Sequence, residues 1–467
     1  MLLRAIYITI GAAFILVSGL FHFNHANSLP YALCLATSVL LLRYSIRPLK
    51  SIKIIDMWFM GFLYFYLSEY LLGFEPLLKE FDEHIVYQVC NFTTAAFGAT
   101  VMGYGLIVSN NFQFDHKSQR AGKKYQSKIE KKKLPANLYI LWIVYGCFAL
   151  FYIFVIITPQ QLLSVARSQR VMNYDIGYFS VVLSSSLVIF PIISIYFLKR
   201  YRYPALINLA VALIFIVCVV SAYLLGSRNI IGFIASSSGF LLLDGLNHIT
   251  RKQMVLIIAV LSILVVAQGI MKYARVSSFI SKNTSESFHR NLTELVLSNE
   301  GTLRIDALVF KTEPYQDENP LENLFIFLWW IPRTIWPEKP TMGGHWFIRE
   351  YTHQSGFGEQ HSISGGFAFA ALLDFGPAVA IPFCVMYGLV IGVIENFVGR
   401  NRSIENGKAA IAGLFIFGVF FMVRSFYTSL ILILITTLFA GGPFIIIEKL
   451  SKLKITGRAM PKRIICK

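Results

Sequence analysis

Residues 205–246 read ALINLAVALIFIVCVVSAYLLGSRNIIGFIASSSGFLLLDGL, an apolar run over 205–225 and a second over 230–246, joined by the short turn Gly226-Ser227-Arg228-Asn229. At 1.5 Å per residue, either run can cross a hydrocarbon core of about 30 Å, the shorter one with little tilt. A turn of this length returns the chain at once, so the pair reads as two consecutive membrane spans. The same alternation of apolar run and short polar stretch extends outward in both directions. It gives spans at about 5–23, 30–46, 54–73, 86–108, 137–158, 178–198, 205–225, 230–246, 254–272, 376–397, 409–425 and 427–447.

Composition supports that reading. Of 467 residues 56% are hydrophobic and 14% charged, with a mean hydropathy of +0.61. An ordinary soluble domain has roughly 45–50% apolar and about 25% charged residues, so a soluble enzyme is excluded. The fold class expected is an all-α integral membrane protein of about twelve transmembrane helices, in four parts. Residues 1–272 form a bundle of about nine spans and 273–365 one large hydrophilic loop. Residues 366–447 hold a short re-entrant helix and the last three spans, and 448–467 a basic tail. The run from Ala5 to about Phe23 has no convincing small-residue cleavage site, so it is read as the first span.

Charge sets the orientation. The net charge of +17 would suggest nucleic acid as the partner of a soluble chain, but here it follows topology and no nucleic acid is expected. With the N-terminus inside, 28 of the 42 Lys and Arg fall in cytoplasmic segments, above all the 109–136 loop, a topology anchor at the anionic leaflet, and the tail. Most of the remainder lie in the long 273–365 loop, where the positive-inside rule has little force, so both termini are expected in the cytoplasm and that loop outside. Five cysteines (Cys34, Cys90, Cys147, Cys218, Cys384) lie in apolar runs, with no CxxC pair or Cys/His cluster for zinc. No metal and no cofactor is expected.

The outer loop contains LFIFLWWI at 324–331, too short to span, with Trp329, Trp330, Trp336 and Trp346 around it as expected at headgroup level. HSISGGFAFAALLDFGP follows and is interrupted by Gly376-Pro377; it is read as a short, partly re-entrant helix feeding the tenth span.

Two sets of residues carry chemistry. The first is arginines at or near the outer ends of spans: Arg228 in its turn, Arg275 after the ninth span, Arg333 in IPRTIWPEKP with Lys339 behind it, and Arg424 closing the eleventh span. Arginine near hydrocarbon costs roughly 2.5–3.5 kcal/mol at the bilayer centre and less toward the surface. An anion offsets that cost, and the planar guanidinium fork suits the oxygens of a lipid-linked phosphate or pyrophosphate. Snorkelling to phospholipid headgroups is the plainer role for any one of them.

The second set is GGHWFIREYTHQSGFGEQHSISGG, residues 343–366. If 344–354 is helical, His345, Arg349 and His353 share one face, with Glu350 three residues before His353. Glu359 and His361 follow in a glycine-flanked turn. Imidazoles and carboxylates beside arginines supply a base for an acceptor hydroxyl and cations for a leaving phosphate; a polar helix cap is the plainer role. HxxxRxxxH lacks the Glu beside the first His that zinc proteases use. Arg167 and Arg170 read as loop charges, Asp56 and Glu69 as interface positions, and Arg304 and Asp306 as an exposed loop pair.

The twelve-span layout, GSRN after the seventh span, the long loop with IPRTIWPEKP and the Gly-rich approach to the tenth span resemble the Wzy-type O-antigen polymerases, the oligosaccharide repeat unit polymerases. The likeness covers about residues 180–400. It implies a C-type glycosyltransferase membrane fold in the bacterial inner membrane and transfer of a glycan from undecaprenyl pyrophosphate onto another undecaprenyl-pyrophosphate-linked repeat unit, without nucleotide or metal. It implies substrate arginines at Arg228, Arg333 and Arg275, and a polysaccharide chain-length regulator as a further partner beside the lipid bilayer. Many members have two sizeable outer loops, whereas 159–177 is short here. An O-antigen ligase acting on lipid A-core and a non-enzymatic lipid-linked oligosaccharide flippase are the alternatives. Flippases line a central cavity with charge and usually lack a large outer domain, the reverse of this pattern.

Overall fold

In a computed structural model of the chain, the residues described are 2–45, 53–67, 70, 75–108, 132–133, 135–156, 178–202, 205–224, 228–242, 302–316, 335–336, 347, 365–401, 408–424 and 426–457. They are helical almost throughout. The principal helices are α1 (Leu2–Phe23), α2 (Leu29–Ser45), α3 (Ile54–Phe62, continued as a π turn over Leu63–Leu67), α4 (Glu75–Glu80), α5 (Glu83–Ile107) and α6 (Ala136–Phe151). After them come α7 (Tyr178–Arg200), α8 (Ala205–Leu224), α9 (Arg228–Leu242), α10 (Thr302–Thr312), α11 (Phe369–Arg400), α12 (Lys408–Met422), α13 (Phe426–Ile435) and α14 (Gly442–Gly457). Lys132–Lys133 and Tyr201–Arg202 form a two-residue parallel bridge.

Among the described residues, five helical segments are long and apolar enough to cross a membrane: Arg4–Phe23, Glu83–Ile107, Ala136–Phe154, Phe369–Arg400 and Ser429–Leu450. Shorter apolar helices include Leu29–Leu42, Ile54–Leu67, Ile231–Leu242 and Lys408–Met422. The chain is a helical membrane protein. The expected span at 254–272 lies outside the described residues, as does most of the 273–365 loop; the described parts of the other expected spans are helical, several of them in helices shorter than a full crossing.

In hydrocarbon no hydrophobic force draws helices together, so small residues that let backbones approach do that work. α5 uses them on two faces. A Cβ on Gly98 would meet the Gly11 carbonyl oxygen of α1 at 2.7 Å, and one on Gly103 would run into the Val385 carbonyl of α11. Gly388 answers from α11, where a Cβ would collide with the Thr100 carbonyl. Gly388→Ala is therefore expected to destabilise the bundle by about 1–3 kcal/mol, the usual cost of overpacking. Gly19→Ala, with nothing within 4 Å of the new methyl, should leave thermal unfolding in detergent unchanged; equal melting of the two variants would refute this packing.

Polar groups inside the bundle fasten helix ends. The Ile54 amide donates to Glu395 Oε2 at 2.6 Å, which sets a carboxylate of α11 at the positive N-terminus of α3. Asp56, expected at an interface position, stands in the first turn of α3, fully buried, and accepts from the Lys53 amide at 3.0 Å. The Tyr196 hydroxyl donates to Glu448 Oε1 and the Arg200 guanidinium to the Tyr196 oxygen, both at 2.9 Å, tying α7 to α14.

Candidate functional site

Two antiparallel helices fix where the arginines stand. α9 and α12 pack so closely that a Cβ on Gly232 would overlap the Phe417 ring, and one on Gly413 would meet the Ser237 Cα at 2.6 Å. Pairing 232 with 417 and 237 with 413 makes the helices antiparallel. Arg228, the first residue of α9, and Arg424, just past the end of α12, therefore lie at the same end of the pair. Arg424 is half-buried, its guanidinium carbon 5.7 Å from the Phe421 ring centroid.

The π turn that closes α3 reaches the same end. Phe65 packs edge-on against Phe421, with centroids 5.9 Å apart, and Tyr64 lies 5.7 Å from Phe420. Beside Phe65, the Tyr66 hydroxyl lies so close to Gly366 that any Cβ there would overlap it. The short lead-in to α11 is thereby brought to the arginine-bearing end of the bundle.

That lead-in is a helix over 369–375, broken from the rest of α11 at Gly376, where φ is 73° and ψ 175°. A left-handed φ suits glycine, which has no Cβ to clash. The break expected at Gly376-Pro377 is present, and the ring of Tyr315, after α10, lies against Gly376. Burial, and then the neighbouring Glu313 carboxylate, raise the Tyr315 phenol above its ordinary value, so it remains a neutral hydroxyl at physiological pH.

Asp306 corrects the sequence reading. It lies on α10, not in a loop, and is 2% exposed, with Oδ1 accepting the Gly366 amide at 3.3 Å. A Cβ on Gly365 would stand 2.6 Å from that same oxygen. Arg304 does form an exposed pair, with Glu80 of α4 at 2.7 Å and not with Asp306. Charge in a helix reads as solvated, yet Asp306 shares a face with Leu303, Ala307 and Phe310, and an acid on an amphipathic helix's apolar stripe was the available signal.

Of the His-rich segment, Phe347 and the closing Gly365 and Gly366 are described. Phe347, two positions from both His345 and Arg349, is fully buried with its ring 6.1 Å from that of Phe369 at 74°. Ile335 and Trp336, close after Arg333, are exposed and half-buried respectively. Arg333, Lys339, Arg275, Arg349, His345, Glu350, His353, Glu359 and His361 lie outside the described residues, as do Glu69, Arg167 and Arg170. Among the described residues no group of three His, Cys, Asp or Glu is placed to hold a metal ion.

Comparison with protein-family models, with curated proteins and with solved structures finds no match.

Proposed function

We propose that this protein is a membrane glycosyltransferase that polymerises undecaprenyl-pyrophosphate-linked repeat units into O-antigen or a related surface polysaccharide. In this reading the chain crosses the bacterial inner membrane twelve times in a C-type glycosyltransferase bundle. Both termini are cytoplasmic and the 273–365 loop is periplasmic. A chain-length regulator is the expected partner.

One observation supports the reading above the others: the starting point of Arg228, the half-buried Arg424 and the pinned lead-in of α11 share one end of the bundle. The loop that carries the candidate bases runs into that lead-in. Three residues of chain, at most about 14 Å of backbone between the two Cα atoms, separate His361 from Gly365.

Transfer then needs three acts. A base removes the proton from the acceptor sugar hydroxyl, a role assigned to Glu359 or His361, with His345 and His353 next. The hydroxyl oxygen bonds to the anomeric carbon of the growing chain while the bond to pyrophosphate breaks, giving inversion without metal. Arg228 and Arg333, aided by Arg275, Arg349, Lys339 and Arg424, hold the departing undecaprenyl pyrophosphate by charge-assisted hydrogen bonds.

The lipopolysaccharide ladder of a deletion strain tests this proposal. A core carrying a single repeat unit is the expected result. Bare core would overturn it in favour of the ligase or flippase alternatives.

A further inference from the structure

We propose that His25 and His84 form a binding site for a divalent transition-metal ion such as Zn²⁺, which bridges the turn after α1 to the start of α5. The two residues are far apart in sequence, and folding sets their rings 5.4 Å apart, centroid to centroid, inclined at 58°. Two imidazoles that share one tetrahedral ion, each nitrogen about 2.0–2.1 Å from it, have their centres about 5 Å apart. Both side chains are exposed, so an ion in solution reaches them. The ion fastens the turn and takes no part in the transfer proposed above.

The backbone at His25 is the less ordinary half of the site. α1 ends in a turn where the Ala26 amide donates to the Phe21 carbonyl at 2.9 Å and the His25 amide to the His22 carbonyl at 3.2 Å, with φ at His25 of 50°. That is a Schellman end, and its left-handed residue is usually glycine. A histidine there carries a backbone cost that glycine avoids. Among the described residues its side chain makes no hydrogen bond that offsets the cost; it meets the His84 ring.

α5 presents the other half. His84, Gln88 and Asn91 stand at i, i+4 and i+7, one face of the helix. Asn91 accepts from the Ser28 amide at 3.0 Å and the Ser28 hydroxyl at 2.6 Å and donates to the Ala26 carbonyl at 2.8 Å, which holds the turn against α5. The Gln88 amide lies 2.9 Å from His84 Nε2. With its oxygen turned to that nitrogen it accepts the Nε2 proton and leaves Nδ1 for the ion, the arrangement that metal-bound imidazoles use. Asp82 and Glu83, exposed and immediately ahead of His84, add negative charge nearby. Two protein nitrogens are fewer than the three or four of a catalytic or structural zinc site, so water completes the shell and binding is of moderate strength.

Full-length protein without an affinity tag, purified in detergent and titrated with Zn²⁺ by calorimetry and thermal unfolding, provides the test. The parent is expected to bind Zn²⁺ and to melt at a higher temperature in its presence, because a ligand of the folded state stabilises that state. His25→Gly suits the left-handed backbone, so without metal it should melt at least as high as the parent, yet bind one ion fewer and gain less stability from Zn²⁺. His84→Ala should also bind one ion fewer. Gln88→Leu should weaken that ion about tenfold or more. His22→Ala, exposed and close by, should bind like the parent. A parent that binds no Zn²⁺ overturns the site, as do His25→Gly and His84→Ala variants that bind as many ions as the parent with the same affinity.

Discussion

Arg228→Ala and Arg333→Ala are each expected to abolish chain extension while the protein still inserts and accumulates. A cation hydrogen-bonded to a desolvated anionic ligand leaves that anion uncompensated when truncated, a loss of about 2–5 kcal/mol, and the departing pyrophosphate needs the pairing most as its bond breaks. Arg228 has the better-defined setting. It begins α9 at the end where α12 finishes, and the close approach at Gly232 and Phe417 leaves the start of α9 little freedom to shift. Arg228→Lys and Arg333→Lys should restore little, because a point charge does not reproduce a bidentate clasp. The measurement is polymer length on a lipopolysaccharide gel, with membrane abundance of each variant as the control. Full-length ladders from both alanine variants would reject the pyrophosphate role.

The second large effect concerns the base. General-base assistance is typically worth about 10²–10⁴ in rate, so loss of the true base should leave polymer barely detectable in a purified assay with lipid-linked repeat units. Glu359 and His361 are the first candidates because they lie in FGEQHSISGG, directly ahead of the two glycines held by Asp306 and Tyr66. If Glu359→Gln and His361→Ala both polymerise within a few-fold of the parent, the base lies elsewhere, and His345 and His353, on either side of the anchored Phe347, become the candidates.

Much of the architecture was legible in the chain itself because a bilayer imposes its own length on a helix. Apolar runs of about 20 residues have few other uses, and each run that falls among the described residues is helical. The interruption at Gly376-Pro377 was legible for a similar reason, since a glycine before a proline is a local conformational statement. Asp306 was not legible as a buried anchor, since its neighbours in sequence, Arg304 and Lys311, made the stretch resemble solvated loop. Only folding sets it against glycines 60 residues away.

The sequence alone determined that this is a helical membrane protein with one large hydrophilic segment, because partition of side chains between water and hydrocarbon depends on composition and run length. Tertiary structure decided which helices touch and which ends coincide. The positions of Arg228 and Arg424 lie at one end of the α9 and α12 pair because Gly232 and Gly413 permit close antiparallel packing, and the lead-in of α11 is held there by Asp306 and Tyr66. Such contacts depend on the shape left by an absent Cβ and on a partner far along the chain, neither of which a local run of residues records.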